Sequence, residues 1–284
     1  DGGTDSLVDT VLSFKYDAYN KGGAADPLIV SGALTVNADA QITHNQNTTS
    51  AEYNINITAA TLTVDSGGSI VGGGMITADG VGCGGGVSGG HGTGPNITTG
   101  LCTATTSGYG KGGGGGAAHA GPGGNGSNVS TSQSTLYGDE FTADLPGSGG
   151  GAGEYGGAGD RLGGDGGGVV RIVVSGTLTV NGSIDSNGAA DTNPSGDKGA
   201  GGGAGGSVYI DAGTLAGSGT ISADGGNGDD STSTADGGGG GGGRVYIQYG
   251  TSSFTRSSVT ATFGAEGNAA SPTPTDGTNG TVVF

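Results

Sequence analysis

The chain has 284 residues, of which 73 are glycine, 31% are hydrophobic and only 5% are aromatic. Glycine loses more backbone entropy on folding than any other residue, and the chain has few large side chains whose burial could offset that cost. Together these properties exclude a conventional globular core. The net charge of −17 and the eight scattered Lys and Arg residues exclude nucleic-acid binding, which needs a basic patch. No apolar stretch is long enough to span a membrane. A periodic hydrophobic pattern favours a fold of thin stacked repeats over a disordered chain.

The N-terminal segment 1–25 is apolar and β-prone between residues 6 and 16, and it lies outside the repeat. We expect it to be a docking or capping segment. The chain begins at Asp1, without Met or a positively charged leader. This start predicts a secreted, extracellular or cell-surface protein from which a signal peptide has been removed.

Residues 26–80 alternate apolar and polar positions, as in Thr61-Leu62-Thr63-Val64, which predicts short strands. A large Gly-rich insertion follows at 81–168 and contains the two cysteines, Cys83 and Cys102. Their closeness in sequence predicts a disulfide formed in an oxidising compartment. The alternative is a zinc site that also uses His91 and His119, although the usual spacing of paired cysteines is missing.

The clearest repeat lies in residues 169–284, where three sets of apolar positions recur about every 37 residues: Ile172, Ile210, Ile247 and Phe284; Leu178, Leu215 and Phe254; Ile184, Ile221 and Val259. Three short strands per repeat predict one turn of a right-handed parallel β-helix. The fold class is therefore all-β, with about five coils in a solenoid domain at 26–284.

Gly-rich excursions leave each repeat at the same corner, at 188–206, 225–243 and 264–280. Because the register repeats, they are expected to stack on one side of the solenoid. They are either flexible linkers or ordered, polyproline-II-like segments that pack closely because nothing projects from Cα.

The pattern G-x-L-x-V, followed by S-I-x-x-x-G-G and a polyglycine run, resembles the Gly-rich β-helical repeats of prokaryotic surface proteins. These include adhesins, autotransporter-like passengers and extracellular fibre subunits. The resemblance covers 169–284 well and 26–80 loosely. It implies adhesion, surface coverage or fibre formation, and it transfers no site residues.

The sequence shows no cluster of side chains suited to catalysis, because its Asp and Glu residues fall in turns and do not cluster on one face of a strand. We therefore predict that the chain is not an enzyme, with a polysaccharide-acting β-helix enzyme as the remaining alternative. No cofactor is expected other than Ca²⁺, for which Gly225 to Asp230 matches half of a calcium-binding nonapeptide. Its candidate ligands are Asp224, Asp229 and Asp230.

Arg171, Tyr209 and Tyr246 occupy equivalent outward positions and predict a ladder on one face of the solenoid. It is either ordinary neighbour packing, with Arg over Tyr, or a contact strip for a glycan or another subunit. Ice binding by Thr177 and Thr179 is a further idea, but the Thr-x-Thr motif does not recur from coil to coil. Seven sequons are candidates for glycosylation: Asn47, Asn56, Asn96, Asn125, Asn128, Asn181 and Asn279.

The last four residues, 281–284, correspond to the first strand of a further coil, and an uncovered β edge invites pairing with another chain. We hypothesise that the N-terminal segment of one copy docks there on the next, giving a head-to-tail homopolymer. The residues assigned to this interface are Leu7, Val8, Val11, Leu12, Phe14, Val282, Val283 and Phe284. The alternatives are a segment that caps its own first coil, a chain that continues beyond residue 284, and a monomeric glycan-binding or phage-type adhesin.

Overall fold

A computed structural model describes residues 4–7, 11–14, 28–38, 40–47, 54–66, 75–87, 91–95, 102–104, 113–127, 135–153, 162–190, 198–231, 235–268 and 273–284. Residues 4–7 and 11–14 are described by their backbone alone. Within these ranges the protein is all-β, as predicted, and its one helical element is a single 3₁₀ turn at Arg256–Ser258. No helix in this part of the chain is long and apolar enough to cross a membrane.

Parallel strands form the two main sheets. In chain order the strands are β1 (Thr4–Leu7), β2 (Val11–Phe14), β3 (Leu28–Val36), β4 (Gln41–His44), β5 (Ile55–Val64), β6 (Met75–Thr77), β7 (Thr93–Pro95), β8 (Cys102–Ala104), β9 (Val169–Val180), β10 (Ser183–Asp185), β11 (Ser207–Ala216), β12 (Thr220–Ser222), β13 (Arg244–Ser252), β14 (Val259–Thr260) and β15 (Thr281–Val283). The larger sheet has the order β1-β3-β5-β9-β11-β13-β15, and the smaller has the order β14-β12-β10-β6-β4-β2. Strands β7 and β8 form a separate antiparallel pair.

Equivalent positions of successive sequence repeats lie side by side on neighbouring paired strands. Ile210 pairs with Ile172 on one side and with Ile247 on the other, and all three side chains are fully buried. Ile184, Ile221 and Val259 form the equivalent row in the smaller sheet. Because alternate residues of a strand point to opposite faces, these rows stack into one continuous apolar core shared by both sheets.

Two predicted core positions differ from expectation. The register places Ser252, and not Phe254, opposite Leu215, although Phe254 still reaches the core and is 7% exposed. Phe284 continues the row of Ile247 but is 39% exposed, because β15 is the edge strand and no further strand covers it.

The N-terminal segment belongs to the same sheets. Strand β1 pairs in parallel with β3, and β2 pairs in parallel with β4. Residues 4–7 and 11–14 therefore add one more layer to their own chain's sheets, as in the capping alternative, and do not form a separate docking arm.

The Gly-rich segments are ordered and bonded to one another throughout the described part of the chain. The N–H groups of segment 198–206 donate to three neighbouring segments in turn along the chain. Every third N–H donates to segment 235–243, and the N–H groups between these donate to segments 148–151 and 186–189. The first set joins Gly199, Gly202 and Gly205 to the carbonyls of Ala235, Gly238 and Gly241 at 2.6, 3.0 and 3.0 Å. A period of three is that of a polyproline II helix, whose backbone groups are all available to neighbours.

Close backbone approach explains why these segments need glycine. Among the described glycines, positive φ occurs at Gly80, Gly138 and Gly217, none of which lies within a polyglycine run. The constraint in the runs is space, because a Cβ on Gly239 would overlap the carbonyl oxygen of Gly264, and one on Gly202 would overlap that of Gly226. The Gly-rich lobe therefore holds together by backbone hydrogen bonds at distances that no side chain permits.

Replacing Gly239 by alanine should therefore destabilise the protein by about 1–3 kcal/mol, the usual cost of overpacking. The matched control is Gly84→Ala, because the nearest atom to its added Cβ is Asp165 Oδ1 at 3.8 Å, an ordinary van der Waals contact. Urea unfolding of both variants measures the difference. Equal stability of the two would contradict close packing of the lobe.

Candidate functional site

The proposed calcium ligands do not come together. Asp224 Oδ1 accepts the N–H of Thr262 at 2.6 Å, and its Oδ2 accepts the hydroxyl of Thr260 at 2.9 Å. The backbone carbonyl of Asp229 accepts the N–H of Gly237, and Asp230 is exposed. Within the described ranges no three His, Cys, Asp or Glu side chains are grouped as a metal site would require. Asp224 therefore serves the packing of successive layers.

That packing forms a polar ladder at the corner after the smaller sheet, defined by Asp79, Asn187 and Asp224. Asp79 Oδ1 accepts the N–H of Asn187 at 2.5 Å, and Asn187 Oδ1 accepts the N–H of Asp224 at 2.7 Å. Removal from water, together with repulsion by Asp185, raises the pKa of Asp79 to about 6. Each side chain thus satisfies a backbone donor in the next layer.

The outer ladder is formed as the sequence predicts. Arg171 and Tyr246 pair with Tyr209 from its two sides. The Arg171 guanidinium lies 4.8 Å from the Tyr209 ring centroid, and the rings of Tyr209 and Tyr246 stack at 5.4 Å. Phe141 from the insertion meets Tyr246 edge-on at 6.0 Å. Both faces of the Tyr209 ring are covered, so neighbour packing accounts for these contacts.

The two cysteines form the predicted disulfide, with their Cα atoms 5.5 Å apart. Both sulfurs are used, so the zinc alternative has lost its thiolates. His119 lies elsewhere in the insertion, where its Nδ1 donates to the Gly205 carbonyl at 2.8 Å and its ring stacks on Tyr137 at 4.7 Å. Arg244 of β13 donates to the Tyr137 carbonyl at 2.7 Å. These contacts tie the insertion to the repeat.

Two histidines are buried in neutral form. His44 Nε2 accepts the N–H of Val169 at 3.3 Å, so its Nδ1 carries the proton and donates to the Asn45 carbonyl at 2.7 Å. Burial lowers the pKa of His44 to about 4 and that of His119 to about 3. In His119 the Nε2 atom is buried with no hydrogen-bond partner. In the described part of the chain, neither ring hydrogen-bonds to the side chain of a Ser or Cys.

The sequons divide by exposure. Asn47 is fully buried, and its Nδ2 donates to the Val81 carbonyl at 3.3 Å. Asn125 and Asn279 are exposed. Asn279 Oδ1 accepts the N–H of Phe263 at 3.2 Å, which does not involve the nitrogen to which a glycan attaches. Asn56 and Asn181 are half-buried, and Asn96 and Asn128 lie outside the described residues.

The proposed assembly residues lie at opposite edges of the sheets. Leu7 of β1 pairs with Val36, while Leu12 of β2 pairs with Ile42 of the same chain. Val11 and Phe14 pair with Gln41 and His44, and Val8 lies outside the described residues. At the other edge Val282 and Phe284 are 36% and 39% exposed, and Arg256 covers the Phe284 ring at 4.5 Å. Val283 continues the outer ladder opposite Tyr246.

One cavity of about 320 Å³ opens between the insertion and the repeat. Asp165 lies in its wall, where Oδ1 accepts the N–H of Gly85 at 2.7 Å and Oδ2 accepts the amide of Gln46 at 2.5 Å. Burial raises the pKa of Asp165. The exposed side chains of Val87 and Leu162 also line the cavity.

Comparison with known proteins returns no matching family model, no matching curated protein and no matching solved structure. Function therefore has to be inferred from the geometry of the chain itself. The described residues offer sheet edges, ordered outer rows and a cavity beside Asp165.

The buried His44 predicts a loss of stability in acid. Its folded pKa of about 4 lies below the unfolded value of 6.5, so the unfolded chain binds the proton more tightly. Stability should fall as pH drops from 6.5, and the loss should be complete below pH 4, at about 3 kcal/mol.

His44→Gln keeps an acceptor for the Val169 N–H and cannot titrate. The difference in unfolding free energy between pH 7 and pH 4, measured in urea, should therefore shrink in this variant. His91→Gln, at an exposed position, is the control and should retain the wild-type difference. An unchanged pH dependence in His44→Gln would show that His44 does not carry the effect.

Proposed function

We propose that this chain is a secreted, non-catalytic structural protein that assembles head to tail into an extracellular filament. In this proposal the two sheets are walls of a right-handed parallel β-helix, in line with the strong preference of parallel crossovers for that hand. It has about five coils, to which β1 and β2 add one more at the N-terminal edge.

The observation that supports assembly is that both sheets are parallel and have an edge strand at each end of the stack. The larger sheet has β1 and β15 at its edges, and the smaller has β2 and β14. All strand pairs between these edges are parallel. A second copy stacked along the same axis would bring its β1 against β15. Because the larger sheet has seven described strands and the smaller has six, β2 of that copy and β14 would stand one strand apart. Such a contact is heterologous and propagates without closing.

The structure changes the route by which copies would join. Because β1 and β2 are already paired within their own sheets, donation of the N-terminal segment would require these pairs to break. Edge-to-edge addition needs no such rearrangement, since one side of β1 and one side of β15 remain at the sheet edges. Val282 and Phe284 supply apolar contacts at this junction, because the rows they continue are buried elsewhere.

An extracellular location is supported by the disulfide between Cys83 and Cys102, since such bonds persist in oxidising compartments. The exposed sequons at Asn125 and Asn279 are compatible with glycans on the outside of the Gly-rich lobe. The resemblance to prokaryotic surface repeats points to the same location.

A monomeric adhesin is the second candidate, and the cavity beside Asp165 is the observation that favours it. A carboxylate, an amide and aliphatic side chains around a space of about 320 Å³ suit a small polar ligand such as a sugar unit. The two functions differ in what they predict for the isolated protein, namely polymers or monomers.

Val282→Lys should abolish filaments, because a charged side chain at an edge strand opposes pairing with another chain. The matched control is Ile29→Lys, which places the same charge at a 70% exposed position on the inner strand β3. Negative-stain electron microscopy of the wild type and both variants at increasing concentration is the measurement. Thermal unfolding of the dispersed protein checks that both variants fold.

Filaments in the wild type and in Ile29→Lys, but not in Val282→Lys, would support edge-to-edge assembly. Uniform monomers of the wild type at every concentration would contradict it and leave the adhesin as the better account. Filaments that persist in Val282→Lys would place the junction elsewhere.

A further inference from the structure

One outer surface carries threonine in two parallel files, which we call the threonine face. It consists of Ala33, Thr35, Thr61, Thr63, Thr177, Thr179, Thr214, Ala216 and Thr251. These are the outward positions in the second halves of β3, β5, β9, β11 and β13, where the inward positions include the fully buried Leu62, Val64, Leu178 and Val180. A register shift in β3, β5 and β11 marks where this half begins.

The pairing of strands creates files that the order of the sequence conceals. Thr63 pairs with Thr35 on one side and with Thr179 on the other. Thr214 pairs with Thr177 and with Thr251. The Thr-x-Thr motif itself occurs only in β5 and β9, which are neighbours although the insertion separates them. In β3, β11 and β13 one threonine of the pair is present, so the files continue across these layers.

The spacing of these files is regular in two directions. Neighbouring strands lie about 4.8 Å apart, and outward residues of one strand lie roughly 6.6 Å apart. The hydroxyls of Thr214 and Thr251, which are neighbours in one file, are 2.9 Å apart and hydrogen-bond to each other. Thr61 and Thr251 are exposed, and the other threonines are half-buried by their own neighbours.

The threonine face is uncharged in a protein whose net charge is −17. The other outer surfaces are mixed: the first half of the larger sheet carries Arg171, Tyr209, Asp211 and Gln248, and the smaller sheet carries Asp185. Ordinary β propensity would favour threonine on all of these surfaces alike. The concentration of threonine on one surface favours a binding partner that is itself uncharged and regularly repeating.

We propose that the threonine face binds the surface of ice. Each γ-methyl group orders the water around it, and each hydroxyl donates to or accepts from one of those waters. Because the side chains repeat in two directions, the water held between them repeats as well and can merge with the lattice of a growing crystal. Charged side chains would orient water towards themselves and break this order, and this face has none.

Thr179→Lys tests the proposal, because it places a long charged side chain in the middle of the face. Its control is Thr220→Lys, the same change at an exposed outward position on β12 of the smaller sheet. Thermal hysteresis and the shape of ice crystals grown in the full-length protein are the readouts. We expect activity in the wild type and in Thr220→Lys, and a loss of at least tenfold in Thr179→Lys, with unchanged thermal unfolding.

Thr179→Val provides a second variant that keeps the shape and one methyl group, and it should retain partial activity even if the lysine variant fails to fold. No hysteresis and no crystal shaping by the wild type would overturn the proposal. Equal loss in Thr179→Lys and Thr220→Lys would overturn it too. So would a change of oligomeric state in Thr179→Lys without any effect on ice, since the face would then bind a second copy.

Discussion

Hydrogen bonds between backbones that carry no side chains hold the Gly-rich half of this protein together. Every buried N–H needs a partner, and in the lobe that partner belongs to a neighbouring segment instead of to the same helix or to a side chain. The segments approach so closely that a Cβ on Gly202 or Gly239 would overlap a carbonyl oxygen. In the described part of the lobe, glycine is therefore the condition of close packing, despite the backbone entropy that each glycine loses on folding.

The Gly-rich lobe and the sheets follow the same sequence repeat, and hydrogen bonds hold both in the same stacking of layers. Gly205 and Gly206 bond to neighbouring segments immediately before Ser207 enters β11. Where the strands of the smaller sheet end, the ladder of Asp79, Asn187 and Asp224 joins successive layers through side-chain oxygens. The backbone hydrogen bonds of this frame also set the spacing of the outward side chains. These side chains therefore form regular surfaces.

Such a frame suits functions that depend on repetition. Parallel strands leave an unpaired edge at each end of a stack, and the proposed assembly of copies would use the same pairing that joins layers within one chain. The same pairing places identical residues above one another, as in the threonine face. Pairs of titratable groups held at catalytic distances arise less readily from repetition, and the polar side chains at the corners are bonded to backbone groups of the next layer.

Periodicity alone determined the all-β class, the parallel rows of Ile172, Ile210 and Ile247, and the side on which the Gly-rich segments gather, because alternation and repeat length are local properties of the chain. The short separation of Cys83 and Cys102 was likewise enough to predict their disulfide. Tertiary structure alone decided that Ser252 takes the place expected for Phe254, and that β1 and β2 join the sheets. It also decided that Asp224 bonds to the next layer and that the threonine files are continuous. These relations depend on which backbone groups pair across an insertion or at an edge, and the residues themselves carry no periodic signal of that pairing.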